Sequence, residues 1–435
     1  MSLKEFTFGI GDTFQRVSLP EEHISDIMEG KHIPAADVKQ ATLNCMRHPI
    51  GSKPLRQKVQ KGDSVCLVVA DVTRTWNKSS QFLIYIINEL NDAGIPDSDI
   101  CIVFAQGSHR AQTPEEDERV CGAEVLQRIK TYQHNCQDPT LVNLGKTKLG
   151  TPLKINKHVV DADKVILIDG ITIHLFAGYG GGRKLILPGV SGYETIQRNH
   201  CHALAETIGG GVNPHTRATV LDHNPLHDDM IEACRMINPC FLVHSVINAD
   251  GEICRMIGGD WHDAWLEGTR EVFTIQEVPM KQKTDVVFAC AGGYPNDVSL
   301  YQGSKCYDPA EMAVKDGGIV IAIMEARDIK EPPAYMGSFT YSSTEEMEKA
   351  LRAKFTIPFF VAYKLFCFCH RCTVILVTRP ENFADIRRTG QIPVATVQEA
   401  WDLAQQKLKE QEKTEYTINI MPHCTKIVPI LQDHS

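Results

Sequence analysis

A glycine-rich loop is the first part of the sequence whose composition suggests chemistry. The stretch "HLFAGYGGGRKLILPGV" carries its glycines at Gly178, Gly180, Gly181 and Gly182. Glycine permits positive φ and lets backbone N–H groups approach an anion, so the loop is suited to a phosphate, with Lys184 as a counter-ion. The P-loop motif G-x-x-x-x-G-K-[ST] does not fit, because Arg183 stands where its second glycine belongs and Leu185 follows the lysine.

Further polar side chains cluster directly after apolar runs that we interpret as strands. The four segments concerned are "DVTR" (71–74), "QGSHR" (106–110), "DGITIH" (169–174) and "GGYPND" (292–297). Ligands of open parallel sheets bind outside the carboxyl ends of strands, so these segments are expected to share one mouth. This convergence favours an enzyme, although a single histidine or an Asp–Arg pair in a turn can also be purely structural.

The elements that position these segments alternate between strand and helix. "SVCLVVAD" predicts a buried strand, and the following segment places Leu83, Ile86, Ile87 and Leu90 on one helical face. "DICIVFAQG" predicts the next strand, and Thr113 caps a helix that opens with Pro114. A second series includes "DVVFACAGG", "GIVIAIMEA" and "TVILVT". This alternation predicts an α/β protein with largely parallel sheets flanked by helices.

A chain of 435 residues is too long for one ordinary core and predicts two domains. We expect a larger domain over residues 1–270 plus the tail 412–435, and a smaller domain over 284–400 that closes over the site. Helical linkers over 261–283 and 396–412 would join them, the second opening with a capping box of Thr396 and Glu399. The tail strand "CTKIVPIL" is expected to rejoin the first sheet, and the active site to lie in the cleft between the domains.

Composition limits the classes of binding partner and the cellular compartment that we expect for this protein. A formal net charge of −9 argues against nucleic-acid binding. The longest apolar region, "PFFVAYKLFCFCHRCTVILV", is interrupted by Lys364, His370 and Arg371, which favours a buried helix and strand over a membrane span. The first residues lack the pattern of a signal peptide. We therefore expect a cytoplasmic protein that binds neither nucleic acid nor membrane.

The fifteen cysteines are scattered mostly through apolar runs, as reduced core cysteines are. One cluster, Cys367, Cys369 and Cys372 with His370, could bind a metal, but its spacing matches no common zinc pattern. Reduced core cysteines are the favoured interpretation, and the role of the cluster stays open.

Several histidines follow the loop. His200 and His202 lie on a predicted helix, where residues two apart point about 200° apart, so at most one of them serves a given metal. We expect His202 to be structural, and His215, His223 and His227 to be surface or core residues.

Together these motifs resemble the nickel-dependent lactate racemase family. The resemblance rests on "DVTR", "GSHR", the "GYGGGRKLILPG" loop with a histidine ten positions before its lysine, "NHCHA", and "GGYPNDVSLYQGSK". It runs over nearly the whole chain. The family carries a nickel-pincer nucleotide, a pyridinium mononucleotide whose two thiocarboxyl groups hold nickel.

The resemblance also implies roles for individual residues. Lys184 would attach the cofactor covalently through a thioamide, and His200 would be the protein ligand to nickel. His109 and His174 would be the acid/base pair. The remaining implied contacts are Asp71, Gly180, Gly181, Gly182 and Phe360 to the cofactor, and Arg74, Tyr301, Gln302 and Lys305 to the substrate. Phe360 stands in for a tryptophan found in some members.

The implied reaction is racemisation of a small 2-hydroxy acid, lactate or a close relative, by reversible hydride transfer through a 2-keto acid. Cofactor-synthesis enzymes would be maturation partners. Two alternatives remain open: racemisation or epimerisation of a longer or more polar acid, such as malate, a hydroxyglutarate or a sugar acid, and a catalytically silent nucleotide-binding protein. A lysine that only neutralises phosphate is the corresponding alternative for Lys184.

Overall fold

The computed structural model describes residues 2–432, which group into two compact units. The N-terminal unit comprises His32–Ala205 and Asn213–Ile275. The C-terminal unit comprises residues 2–31, Glu206–Val212 and residues 276–432. The strands are β1 Leu3–Ile10, β2 Thr13–Pro20, β3 Ile24–Ile27, β4 Val65–Ala70, β5 Ile100–Ala105, β6 Lys130–Gln133, β7 Val142–Lys146, β8 Pro152–Ile155, β9 Lys164–Ile171, β10 Ile173–His174, β11 Gly178–Tyr179, β12 Phe241–Ile247, β13 Ile253–Gly259, β14 Glu277–Met280, β15 Thr284–Cys290, β16 Val314–Ile323, β17 Thr373–Val377, β18 Ile392–Val394, β19 Ile418–Met421 and β20 Val428–Leu431. The helices are α1 Val38–Arg47, α2 Leu83–Asp92, α3 Pro114–Cys121, α4 Ala123–Arg128, α5 Lys157–Val160, α6 Tyr193–Cys201, α7 Pro225–Ile237, α8 Asp263–Gln276, α9 Leu300–Gly303, α10 Tyr307–Ala313, α11 Pro333–Met336, α12 Thr344–Ala353, α13 Ile357–Arg371, α14 Phe383–Arg387 and α15 Val397–Glu410.

The N-terminal unit is built on a sheet of order β13-β12-β9-β4-β5-β6. Its pairings are parallel except for the antiparallel edge pair β12–β13. Every residue of β4 is buried, as its uninterrupted apolar run predicts for a strand covered on both faces. The predicted face of α2 packs into the same core through Leu83, Ile86, Ile87 and Leu90. Burial stabilises the fold by roughly 1.5–3 kcal/mol for each such side chain.

The C-terminal unit contains an all-parallel sheet of order β18-β17-β16-β15-β19-β3. The hairpin β1–β2 and helix α15 pack into one core with β15 and β16. Thr396 caps α15 by accepting from the N–H of Glu399, whereas the Glu399 carboxylate reaches back to the N–H of Ala395 instead of that of Thr396. The predicted α/β class with largely parallel sheets is confirmed.

The division of the chain differs from the expected one. Residues 2–31 belong to the C-terminal unit, where β3 pairs with β19 at the sheet edge. The tail does not rejoin the first sheet, because β19 pairs with β15 and β20 pairs with β14. Helix α15 is a core helix and not a linker, since Val397, Trp401 and Leu408 are buried against the second sheet. Local apolar periodicity reports that a strand exists, but not which sheet it joins.

A short segment of the C-terminal unit, Glu206–Val212, follows α6 in the sequence. The buried carboxylate of Glu348 accepts from the N–H groups of Gly209 and Gly211 and from the Tyr363 hydroxyl. Arg352 pairs with the same carboxylate and donates to the Thr207 carbonyl. This segment is therefore anchored on α12 and α13.

One buried carboxylate makes the stability of the C-terminal unit depend on pH. Burial raises the pKa of Asp285, but Lys315 and Lys413 at 2.9 Å each and the Thr417 N–H outweigh it and lower the pKa to about 2. A depressed native pKa adds stability above the unfolded pKa, and that stability is lost as the pH falls through the native pKa.

We predict that Asp285→Asn lowers the free energy of unfolding by about 2 kcal/mol at pH 7. The difference in free energy of unfolding between this variant and wild type shrinks as the pH falls from about 4 toward 2. Urea unfolding at a series of pH values measures it, with the exposed neighbour Asp316→Asn as the control. A difference that stays constant from pH 7 to pH 3 would show that the ion pairs contribute nothing.

Candidate active site

Three of the four predicted polar segments meet at one edge of the N-terminal sheet. Asp71 follows β4, His109 lies just after β5, and His174 lies just after β9. These strands are neighbours in the order β9-β4-β5 and run parallel, so their carboxyl ends share an edge. The fourth segment, "GGYPND", follows β15 in the other sheet.

Asp71 and His109 form a hydrogen-bonded pair. The His109 Nδ1 lies 2.7 Å from Asp71 Oδ2, and the Thr73 hydroxyl donates to Asp71 Oδ1 at 2.6 Å. Asp71 is 3% exposed, whereas the His109 side chain is 44% exposed. Because an ionised carboxylate only accepts, Nδ1 carries a proton, and the neutral tautomer compatible with this contact has its lone pair on Nε2. This arrangement suits a general base.

The glycines of the loop are required by packing. Gly181 and Gly182 have φ of +68° and +56°, and a Cβ on Gly182 would lie 2.5 Å from Trp265 Cδ1. The N–H groups of Gly180 and Gly182 donate to the Thr172 carbonyl and to His244 Nε2, each at 2.7 Å. These two N–H groups are thus used inside the protein, unlike those of a P-loop.

Sequence reasoning missed Arg183, which holds this loop together. Its guanidinium is completely buried and donates to the carbonyls of Ala177 and Tyr179 at 2.7 Å and to that of Gly181 at 3.4 Å. Its Nε donates to His227 Nδ1 at 3.2 Å, and the group lies 4.0 Å from the centre of the Trp265 ring. The sequence shows only an arginine beside a lysine, which is equally typical of a solvated loop.

The aromatic ring of Phe176 brings three of the predicted site residues together. Its centroid lies 4.6 Å from that of His174, 5.7 Å from that of His200 and 5.8 Å from Lys184 Nζ. Phe176 is 1% exposed, and His200 is equally buried. An amine and two imidazoles therefore surround one apolar ring.

His174 and His200 carry their protons on different ring nitrogens. His174 Nδ1 accepts from the Ala177 N–H at 3.2 Å, so the neutral ring has its proton on Nε2. His200 Nδ1 lies 2.9 Å from the Ile196 carbonyl, which can only accept, so Nδ1 is protonated and the lone pair is on Nε2. A histidine that donates its second ring nitrogen to a carbonyl is typical of metal ligands.

Charge and burial disfavour the protonated forms of the groups in this cluster. Burial, followed by the charges of Arg183 and Arg74, lowers the pKa of Lys184 well below its usual value, although Asp169 opposes this. Burial lowers the pKa of His200 to about 3 and that of His174 well below its ordinary range. A neutral amine is nucleophilic and a neutral imidazole can bind a metal.

Two charged groups flank the cluster. Asp169 is buried, accepts from Asn77 Nδ2 at 3.0 Å, and has its pKa raised to about 6 by burial. Arg74 donates to the Thr73 carbonyl and hydroxyl, and no carboxylate in residues 2–432 forms an ion pair with it. Its guanidinium is therefore suited to an anionic substrate.

The remaining predicted residues lie in the C-terminal unit. Lys305 Nζ donates to Gln302 Oε1 at 2.8 Å, one turn apart, and the Tyr301 ring packs edge-on against Tyr335. Phe360 is completely buried and stacks on Phe355, which indicates a packing role. It stays a prediction that these residues meet the Phe176 cluster, formed by Lys184, His174 and His200 around the Phe176 ring, in a cleft.

The other residues considered as metal ligands in the sequence have contacts that are typical of structural residues. His202 Nε2 lies 4.0 Å from buried Asp229, apart from the Phe176 cluster. His227 accepts from Arg183 and stacks on Trp265. Cys367 and Cys369 are free thiols on α13 whose pKa values are raised by burial, and no group of three or more metal-binding side chains occurs in the described chain. None of the helices in residues 2–432 is long and apolar enough to span a membrane.

Family models for the lactate racemase N-terminal domain and C-terminal domain match residues 10–209 and 279–428. The chain belongs to the lactate racemase family. Family membership makes it a racemase, an enzyme of the isomerase class, as predicted.

Individual relatives agree with this assignment. A lactate racemase of Thermoanaerobacterium thermosaccharolyticum is 27% identical, with 94% of this chain and 95% of the relative covered. One of Lactiplantibacillus plantarum is 32% identical over 65% of this chain and 64% of the relative. The solved lactate racemase apoprotein from T. thermosaccharolyticum superposes with a TM-score of 0.87 over 98% of this chain and all of that one. A Thermotoga maritima protein at 17% identity shares the fold, with a TM-score of 0.65 over 92% and 100% of the two chains.

We predict that Gly182→Ala lowers the free energy of unfolding by about 3 kcal/mol, because the new Cβ meets Trp265 at positive φ. Gly180→Ala, in the same loop without positive φ, meets only Thr172 Cγ2 at 3.2 Å and costs roughly 1 kcal/mol. Urea unfolding compares the two. Equal stabilities of the two variants would contradict the packing explanation.

Proposed function

We propose that this protein racemises lactate or a closely related small 2-hydroxy acid, with a nickel-pincer nucleotide joined covalently to Lys184. The reaction is reversible hydride transfer through a 2-keto acid. The observation that carries the proposal is the cluster of Lys184, His174 and His200 around Phe176, in a chain of the lactate racemase family.

The residues fit such a cofactor. His200 is neutral, buried and oriented by the Ile196 carbonyl, which suits a nickel ligand because imidazole is a good donor for this metal. Burial and the neighbouring arginines lower the pKa of Lys184, and this favours the nucleophilic form of the amine that covalent attachment needs. When bound, the cofactor supplies a group that takes hydride from C2 of the substrate and returns it.

Two histidines interact with the substrate hydroxyl group. His109, oriented by Asp71, accepts that proton on Nε2, and the Asp71 carboxylate stabilises the resulting imidazolium. His174 starts with its proton on Nε2 and is a hydrogen-bond donor to the substrate oxygen from the other side. Return of hydride to the opposite face of the planar keto acid would invert the centre, and the product oxygen regains its proton from the His109 imidazolium, which ends neutral.

The substrate carboxylate requires a cationic partner. Arg74 carries a guanidinium without an ion pair in the described chain, and its planar fork matches a carboxylate. Gln302 and Lys305, which the family resemblance assigns to the substrate, are hydrogen-bonded to each other and carry polar groups of the kind that such contacts need. Maturation by cofactor-synthesis enzymes is part of the proposal.

We predict that protein produced together with the cofactor-synthesis enzymes carries added mass on the peptide that contains Lys184. Lys184→Arg removes this mass, because a guanidinium is a poor nucleophile. The exposed Lys157→Arg serves as the matched control and retains it. Intact-mass and peptide mass spectrometry measure both, and wild-type protein without added mass at Lys184 would disprove covalent attachment.

We predict that His109→Gln slows keto-acid formation by about 10²–10⁴, because the base is lost, and that His174→Gln slows it by roughly tenfold, because a hydrogen bond to the substrate oxygen is weakened. Single-turnover measurement from each enantiomer is required, because an equilibrium constant of one forces kcat/KM to fall equally in both directions. The exposed His158→Gln is the control. Wild-type rates from both enantiomers in both variants would exclude these histidines from the reaction.

A further inference from the structure

Arg183, the arginine of the glycine-rich loop, is a charged residue whose burial costs free energy of desolvation. Arg183 is completely buried, and no carboxylate in residues 2–432 pairs with it. Burial lowers the pKa of Arg183 to about 9, so the group remains charged at neutral pH. A buried charge persists only when its hydrogen bonds are satisfied, and here they go to three carbonyls and one imidazole.

These contacts fix the backbone that leads into Lys184. The carbonyls of Ala177, Tyr179 and Gly181 are held by the guanidinium, and that of Gly180 accepts from Trp265 Nε1 at 2.9 Å. The loop then enters a short 3₁₀ helix, Gly182–Leu185.

Arg183 and Lys184 are consecutive on this helix, where successive side chains diverge by about 120°. The guanidinium is held against Trp265 and His227, whereas the Lys184 amine lies over Phe176. Anchoring one side chain therefore sets the direction of the next. Reversing the order of the two residues would place the amine against Trp265.

The guanidinium also contributes a fixed charge beside the amine. The charged and titratable groups around Lys184 are Arg183, Arg74, Asp169, His174 and His200. Both arginines lower the pKa of the amine and Asp169 raises it.

We propose that Arg183 is a positioning residue for covalent attachment at Lys184, fixing the loop so that the amine meets the thiocarboxyl carbon of the cofactor. This inference rests on the proposed function. In the attachment, the amine nitrogen bonds to that carbon and the carbon–oxygen bond breaks. The hydroxyl group leaves with one amine hydrogen as water, so a thioamide forms and no oxidant or reductant is needed.

The test uses the protein without cofactor and trace amounts of acetic anhydride. Peptide mass spectrometry gives the ratio of acetylation at Lys184 to that at the exposed Lys157, over a range of pH. We expect Arg183→Met to lower this ratio by roughly 10- to 100-fold. Arg183→Lys keeps the positive charge but loses the planar guanidinium that donates to several carbonyls. We expect its acetylation ratio to lie between those of Arg183→Met and wild type. The control is Arg235→Met, an exposed arginine of α7, which leaves the ratio unchanged.

Folding of each variant is checked by near-UV circular dichroism and Tm. A folded Arg183→Met protein with the wild-type ratio and pH profile would overturn the inference. If Arg183→Met does not fold, Arg183→Lys provides the test. A folded Arg183→Lys protein with the wild-type acetylation ratio and pH profile would likewise overturn the inference.

A second measurement separates this inference from the proposed function. Each variant is produced with the cofactor-synthesis enzymes, and the fraction carrying added mass at Lys184 is determined. Absence of the mass in wild type contradicts the proposed function. Its presence in wild type and in folded Arg183 variants at equal fractions contradicts the role of Arg183 alone.

Discussion

A positive charge buried without a counter-charge organises the loop on which the site depends. The guanidinium of Arg183 binds carbonyl oxygens at alternate residues of the loop, and the indole of Trp265 covers its face. Gly181 and Gly182 allow the chain to approach His244 and Trp265 closely enough for this arrangement. Because both ends of the loop are fixed to the protein interior, the amine at Lys184 stands on a rigid support.

Three histidines of the candidate site differ in their tautomers because each ring has a different hydrogen-bond partner at Nδ1. A carboxylate accepts from His109, a carbonyl accepts from His200, and a backbone N–H donates to His174. The lone pair consequently lies on Nε2 in the first two rings and on Nδ1 in the third. Under the proposed function, these hydrogen-bond partners would fit the three rings to act as a base, a metal ligand and a hydrogen-bond donor.

Much of the fold could be predicted from sequence where the local signal was strong. The apolar runs of β4 and β5 and the spaced leucines and isoleucines of α2 predicted a strand, a helix and a strand that the structure contains. The meeting of Asp71, His109 and His174 at one sheet edge was also predicted, because ligands of open parallel sheets bind at the carboxyl ends of the strands. The partners of β3 and β19 could not be predicted, because pairing over long separations leaves no periodic signal. Arg183 was missed because burial of a charge is decided by tertiary contacts, and nothing in "GGGRK" distinguishes it from a solvated residue.

The pairing of β3 with β19 also constrains how the protein is made. β3 forms an edge of the second sheet, and its neighbour β19 comes from the far end of the sequence. During synthesis the ribosome releases β3 long before β19 exists, whereas all strands of the first sheet are complete by Gly259. The N-terminal sheet can therefore form while the chain is still growing. The second sheet can be completed only after Met421 has been synthesised, so β3 must wait for β19 before it can pair.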